Sequence, residues 1–161
     1  MKVLDVMTPG AKVCYGDTSL AEAAKMMWEN SCGILPVVES MGGKLCGVIT
    51  DRDICMGGMT QGLKLHEIPV RHCCSREIHR CRPDDDLATV HALMREHRLH
   101  RVPVVGEKER VLGIVSLDDL ALAACRADGE TGRLAREDLA TTLGAVAEGV
   151  ASHRAAEAAE D

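Results

Sequence analysis

The sequence predicts a mixed α/β (α+β) fold. It would hold two equivalent units, each a short strand, a helix, two strands and a second helix, with an amphipathic helix after them. Three observations predict this. Residues 6–54 and 73–120 repeat one pattern: Leu20 and Leu87, Gly33 and His100, and Pro36 and Pro103 stand 67 positions apart, and after a one-residue deletion Gly47, Thr50 and Asp53 answer Gly113, Ser116 and Asp119. Two copies exclude a solenoid, which needs more. They favour two units about a pseudo-twofold axis, with a cleft carrying two similar sites. Within each copy, helical spacing gives way to short apolar runs. Finally, 161 residues at 46% hydrophobic content suffice for a compact core.

The elements follow in order. Ser19 and Glu22 form a capping box ahead of Leu20, Ala23, Ala24 and Met27 at helical spacing, which predicts a helix over 19–30. Ile34 to Val38 is a buried strand with an unusual proline at position 36. Gly42-Gly43 marks a turn, and 45–49 a second strand. Thr50 opens a further helix with Asp51 and Asp53 in its first turn, the sign the helix dipole favours there. In the second copy Asp86 caps a helix bearing Leu87, Val90 and Met94. Strands follow at 101–105 and 111–115, and Ser116 caps a helix to Ala124. Residues 57–72 (with Gly57, Gly58, Gly62 and Pro69) read as a connection. Leu139, Leu143, Val146 and Val150 predict an amphipathic helix over 135–150, and the tail 151–161 is expected to fray. The division is then 1–56, 57–72, 73–125 and 126–161.

Composition excludes several functions. Trp28 and Tyr15 are the only aromatics and Phe is absent, so the stacking platforms of a single-strand nucleic-acid binder are missing. A net charge of −6 disfavours a phosphate-backbone binder. No apolar run approaches the ~20 residues of a membrane span, and the first residues lack a signal-peptide core. A cytoplasmic protein is expected, with its eight cysteines reduced.

The pairs GVITDRDI (47–54) and GIVSLDDL (113–120), CGILPVV (32–38) and HRVPVV (100–105), with VMTP at 6–9, resemble the cystathionine-β-synthase (CBS) domain. The second copy departs from it at Cys73-Cys74-Ser75. The resemblance covers about residues 3–125 and is nearest to stand-alone bacterial CBS pairs. It implies a Bateman module: two βαββα units with sheets face to face, dimerising into a disc. Such modules bind adenine nucleotides or related adenosyl ligands, and they sense rather than catalyse.

The residues agree with a nucleotide site. A strand running straight into a helix offers free N–H groups and a positive dipole end. Asp53 and Asp119 can each accept both hydroxyls of a ribose. Thr50 and Ser116 can donate to a phosphate, and Arg52, His100 and Arg101 can neutralise it. Carried over from the family, Thr50, Arg52 and Asp53 would face Ile78 and His100. Ser116, Asp118 and Asp119 would face Gly10, Gly33 and Ile34, with Arg101 near. Both Thr-x-x-Asp and Ser-x-x-Asp are also plain capping patterns. The copies are unequal: Asp118 stands where Arg52 does, and a carboxylate ~4 Å from a phosphate costs on the order of 4 kcal/mol at an effective dielectric of 20. The Asp53 site should therefore suit phosphates better.

His66, His72, Cys73, Cys74, His79 and Cys81 cluster in sequence without the Cys-x₂₋₄-Cys pairs of a zinc knuckle. They are read as thiols and surface histidines, and no metal or catalytic residue is assigned. No phosphate loop, GxGxxG or GxSxG occurs. The leading reading is a non-enzymatic regulatory module that binds AMP or ATP, forms a homodimer and signals to a protein partner. It would have no cofactor and no contact with nucleic acid or membrane. The alternatives are a structural, dimerising module with empty sites, or a metal- or redox-responsive module using residues 66–81.

Overall fold

The computed structural model describes residues 1–39 and 43–157, with side chains through residue 148. The strands are β1 (Thr8–Pro9), β2 (Cys14–Tyr15), β3 (Ile34–Val38), β4 (Leu45–Thr50), β5 (Arg101–Val105) and β6 (Val111–Ser116). The helices are α1 (Leu20–Glu29), α2 (Asp51–Gln61), α3 (Leu87–His97), α4 (Leu117–Arg126) and α5 (Gly129–Glu157). The strands form two three-stranded sheets, ordered β2-β3-β4 and β1-β6-β5. The mixed α+β architecture predicted from the repeat is therefore present.

Local chemistry explains the first repeat. The Ser19 hydroxyl accepts from the Glu22 N–H at 3.2 Å, and the Glu22 carboxylate accepts from the Ser19 N–H at 3.0 Å, which starts α1. The Ser19 N–H and the Ser19 hydroxyl both donate to that carboxylate and hold the Glu22 carboxyl below its ordinary range. In β3, Pro36 lies opposite Val48 of β4. Pairing with β2 begins only at Val37, so at Pro36 the strand has one partner and the absent N–H leaves no second ladder short of a donor.

The compact units cut across the sequence repeats. One comprises Met1–Thr8, Cys81–Val104 and Ile114–Asp161, and the other Pro9–Arg80 and Val105–Gly113. The N-terminal leader thus packs with the second repeat: Val3 is buried beside Cys81, Val90, Met94 and Val115, and its N–H donates to the Asp85 carbonyl at 3.0 Å. The segment leading into the second repeat packs with the first. Val70 joins Leu20, Leu35 and Ile49 in that core, and Ser75 exchanges backbone bonds with Val48.

Four expectations need correcting. Gly57 and Gly58 lie inside α2 and not in a connection, and the helix ends at Gly62 with φ +64°. Gly57 is a close-approach glycine, because a Cβ there would stand 2.5 Å from the Cys73 Sγ. Asp86 occupies the N-cap position of α3, but its side chain caps nothing and instead meets the Lys2 ammonium at 2.9 Å. The last helix starts at Gly129 and runs to Glu157, well beyond 135–150, so 151–157 are helical; 158–161 lie outside the described residues, as does Gly42 of the expected turn. Among the described positions of α5, Gly132, Thr142 and Val146 are buried and Leu139 is partly buried, while Leu143 is exposed; the Val150 side chain lies outside the described residues.

Candidate functional site

Each strand-to-helix junction builds the same small device. At the start of α2 one carboxylate oxygen, Asp53 Oδ2, accepts from the Thr50 N–H and the Thr50 hydroxyl, both at 2.8 Å, and the Thr50 Oγ1 accepts from the Asp53 N–H at 3.2 Å. At the start of α4, Asp119 Oδ2 accepts from the Ser116 N–H at 2.8 Å and the Ser116 hydroxyl at 2.6 Å, and the Asp119 N–H donates back at 3.1 Å. These are reciprocal capping boxes. They also revise one expected role. A hydroxyl has a single hydrogen, and both Thr50 and Ser116 donate theirs to the neighbouring carboxylate. Neither hydroxyl is available to a phosphate without breaking its box, so both act here by orienting the aspartate.

The carboxylates differ in what they have left. An ionised carboxylate offers about four acceptor sites. Asp53 uses two, both on Oδ2, and among the described residues nothing hydrogen-bonds to its Oδ1. Asp119 uses a third, because the Thr8 hydroxyl donates to its Oδ1 at 3.0 Å. By count, Asp53 has about two acceptor positions left and Asp119 about one. Thr8 was not singled out from the sequence. The signal was present, because Thr8 and Ser75 stand 67 apart. The Ser75 hydroxyl donates to the Glu77 carbonyl at 3.2 Å and does not touch Asp53.

The remaining predicted residues fall as follows. Gly33 supplies a carbonyl to the Asp51 N–H at 3.4 Å, Ile34 pairs with Thr50 across the sheet, and both share a unit with Arg52, Gly10 and Ile78. The Arg52 side chain is exposed and has no ion pair among the described residues. Gly10 adopts φ +71° and donates its N–H to the Leu112 carbonyl at 2.8 Å. In the other unit the His100 carbonyl accepts from the Leu117 N–H at 3.0 Å. His100 and Asp118 are exposed there, and Arg101 is half-buried.

Two cavities adjoin these helices. One of about 410 Å³ is lined by Met1, Asp5, Val6, Asp119, Leu122, Ala123, Arg126 and Ala127, so Asp119 faces space of ligand size. The other, of about 430 Å³, is lined by Ala24, Met27, Trp28, Ser31, Cys32, Asp51 and Ile54. It includes neither Thr50 nor Asp53, so it is a groove beside the predicted site and not the site itself.

The His/Cys segment does not gather. His66 and His72 are exposed, while Cys73 and Cys74 pack on the first core and Cys81 sits in the second. Burial pushes the Cys81 thiol up to about 12. It also raises Cys73, helped by the nearby Asp53 charge. Among the described residues, no group of three or more His, Cys, Asp or Glu side chains is placed to hold a metal ion. No helix among them is long and apolar enough to cross a membrane.

Comparison with known proteins gives these features a family. The profile of the CBS domain matches residues 3–57 and 70–125. The CBS domain-containing protein YhcV of Bacillus subtilis is 35% identical over 120 residues, 74% of this chain and 83% of that protein. A crystal structure of Hypoxic Response Protein I with two coordinated zinc ions superposes with a TM-score of 0.69 at 30% identity, covering 76% of this chain and 98% of that one. The CBS domain pair of protein MJ0100, in complex with 5′-methylthioadenosine and S-adenosyl-L-methionine, gives 0.68 at 27% identity (76% and 94% covered). CBSX2 in complex with AMP gives 0.67 at 25% identity (78% and 96% covered). With two registered copies of the motif, two capping boxes in matching places and a family profile that finds both, this chain belongs to the CBS domain family, as a CBS pair.

Proposed function

We propose that this chain is a regulatory, non-enzymatic module that binds an adenine nucleotide, AMP or ATP, through the Thr50–Asp53 turn. One observation carries the reading: Asp53 is fixed by its capping box with an entire carboxylate oxygen unengaged among the described residues, one position after an unpaired Arg52. A carboxylate suited to a diol and a guanidinium suited to a phosphate, together at a helix start where free N–H groups favour an anion, support this reading. The adenosyl ligands named for MJ0100 and CBSX2 support the ligand class. Gly10, Gly33, Ile34, Ile78, His100, Arg101, Ser116, Asp118 and Asp119 complete the proposed contact set, carried over from the family. Ligand binding changes the populations of two states by its differential affinity for them, and a protein partner reads the result. The working form is a cytoplasmic homodimer, with an interface above ~1,000 Å².

The zinc ions of Hypoxic Response Protein I raise the metal-responsive alternative. The dispersed His66–Cys81 segment gives it no support here, and thiols held protonated by burial make poor redox sensors.

Calorimetric titration with AMP tests the nucleotide reading. Asp53→Ala removes the diol acceptor and is expected to weaken binding by about 1.5–3 kcal/mol, the range for hydrogen bonds to charged groups. Unchanged affinity in that variant sinks the assignment.

A further inference from the structure

We infer that Thr8 is a specificity-determining residue: its hydroxyl holds the Asp119 oxygen that Asp53 leaves open, so the second repeat takes an adenosine ribose more weakly than the first. This rests on the nucleotide reading above and names the residue that decides which of the two carboxylates receives the sugar.

A vicinal diol donates two hydrogen bonds. Among the described residues, Asp53 Oδ1 has both of its acceptor positions open, and Asp119 Oδ1 has one, because Thr8 donates to it at 3.0 Å. Among the described residues nothing equivalent bonds to Asp53, and the Ser75 hydroxyl is turned to the Glu77 carbonyl. Space is not what limits the second repeat, because Asp119 lines a cavity of about 410 Å³ together with Val6, Leu122 and Arg126. Thr8 itself is exposed, so changing it removes no core packing.

This differs from the contrast between Arg52 and Asp118. That contrast concerns phosphate and predicts no discrimination against an uncharged nucleoside. The Thr8 contact predicts discrimination against the nucleoside itself, so adenosine is the probe that separates them.

The experiment titrates adenosine calorimetrically into the full chain as wild type, Asp53→Ala, Thr8→Val, Thr8→Ser and Thr8→Val with Asp119→Ala. The stronger wild-type site should vanish in Asp53→Ala. Thr8→Val should tighten the weaker site, or bring it into view, by about tenfold, the scale of one competing hydrogen bond to a carboxylate. Thr8→Ser keeps the hydroxyl and should match wild type, and adding Asp119→Ala should cancel the gain. If the Asp53-dependent site persists while Thr8→Val leaves the weaker site unchanged or weaker, this inference falls and the nucleotide reading stands. A gain that survives Asp119→Ala also overturns it. Absence of adenosine binding in wild type and Thr8→Val alike overturns both.

Discussion

The helix pair of the second repeat is covered by a long helix, and that of the first borders an open groove. Helix α5 lies against α3 and α4 and buries Thr142 and Val146 there. Helices α1 and α2 instead flank an open groove of about 430 Å³ with Trp28 at its edge, 87% exposed. The sequence difference behind this is small. Where α1 has Ala24 and Trp28, α3 has His91 and Arg95 at the same offset of 67. His91 is buried, with its Nδ1 2.8 Å from the Thr142 hydroxyl, which also accepts from Arg95 at 3.1 Å and donates to the Asp138 carbonyl at 2.8 Å. Because that hydroxyl spends its hydrogen on Asp138, His91 must donate through Nδ1. The lesson is that helical spacing identifies the face that meets the sheet. What covers the opposite face is written in isolated polar residues that make sense only with a partner.

The largest expected effect tests this directly. Met94 is fully buried, and its counterpart Met27 is also buried, 5% exposed, but borders the open groove. Truncating a buried methionine costs about 2–5 kcal/mol, depending on how far the site can relax. Met94→Ala should fall near the top of that range. Met27→Ala should fall lower in it, because the space left would open onto the groove that Met27 borders. Urea unfolding of both variants measures the gap, and equal losses would mean the two helix pairs are equally covered.

A middle effect sharpens the contrast through the polar seam. Thr142→Val leaves the His91 N–H and an Arg95 donor without their acceptor, and should cost about 1–3 kcal/mol. The seam should also respond to acid. Burial first of all holds the His91 imidazole below its ordinary 6.5; the Asp138 charge opposes this and the Arg95 charge adds to it. A folded-state value below the unfolded one means that the unfolded chain binds more protons in that window. The stability His91 contributes is therefore intact above 6.5 and is lost as pH falls from there toward the folded-state value. Melting curves between pH 7.5 and 5 should show this loss in wild type and less of it in His91→Ala, where α3 carries the alanine that α1 already has. Parallel curves for the two proteins would remove His91 from the account.

Much of this architecture was legible in the chain. The register of Leu20 with Leu87 and Pro36 with Pro103 gave two like units, and Ser19, Thr50 and Ser116 marked three helix starts that the structure keeps. What escaped reading depends on partners distant in sequence. Gly57 and Gly58 look like a turn until Cys73 is seen against Gly57. Asp86 looks like a cap until Lys2 reaches it from the N-terminus. Periodicity selected Leu143, but the face of α5 that packs is set by Thr142, whose value lies in His91 and Arg95, 51 and 47 residues away. At the two capping boxes, the Thr50/Asp53 and Ser116/Asp119 pairs and the Arg52/Asp118 difference were readable, but the Thr8 hydrogen bond to Asp119 was not, because it joins residues 111 apart.

The smallest expected effect belongs to Trp28. A side chain 87% exposed contributes little to the stability of its own chain, and substitutions at such positions usually stay within about 0.5 kcal/mol. Trp28→Ala should therefore leave the urea midpoint nearly unchanged, and should do so equally at low and at tenfold higher protein concentration. The concentration arm is what gives the measurement its force. If a second chain covered the first repeat's helices in solution, as α5 covers those of the second, Trp28 would contribute to association and the loss in Trp28→Ala would grow with concentration. A loss in Trp28→Ala above about 1 kcal/mol that grows with concentration, beyond the usual range for exposed sites, would show that the groove is bare only in the isolated chain. The contrast between the two repeats would then be one of which chain supplies the cover.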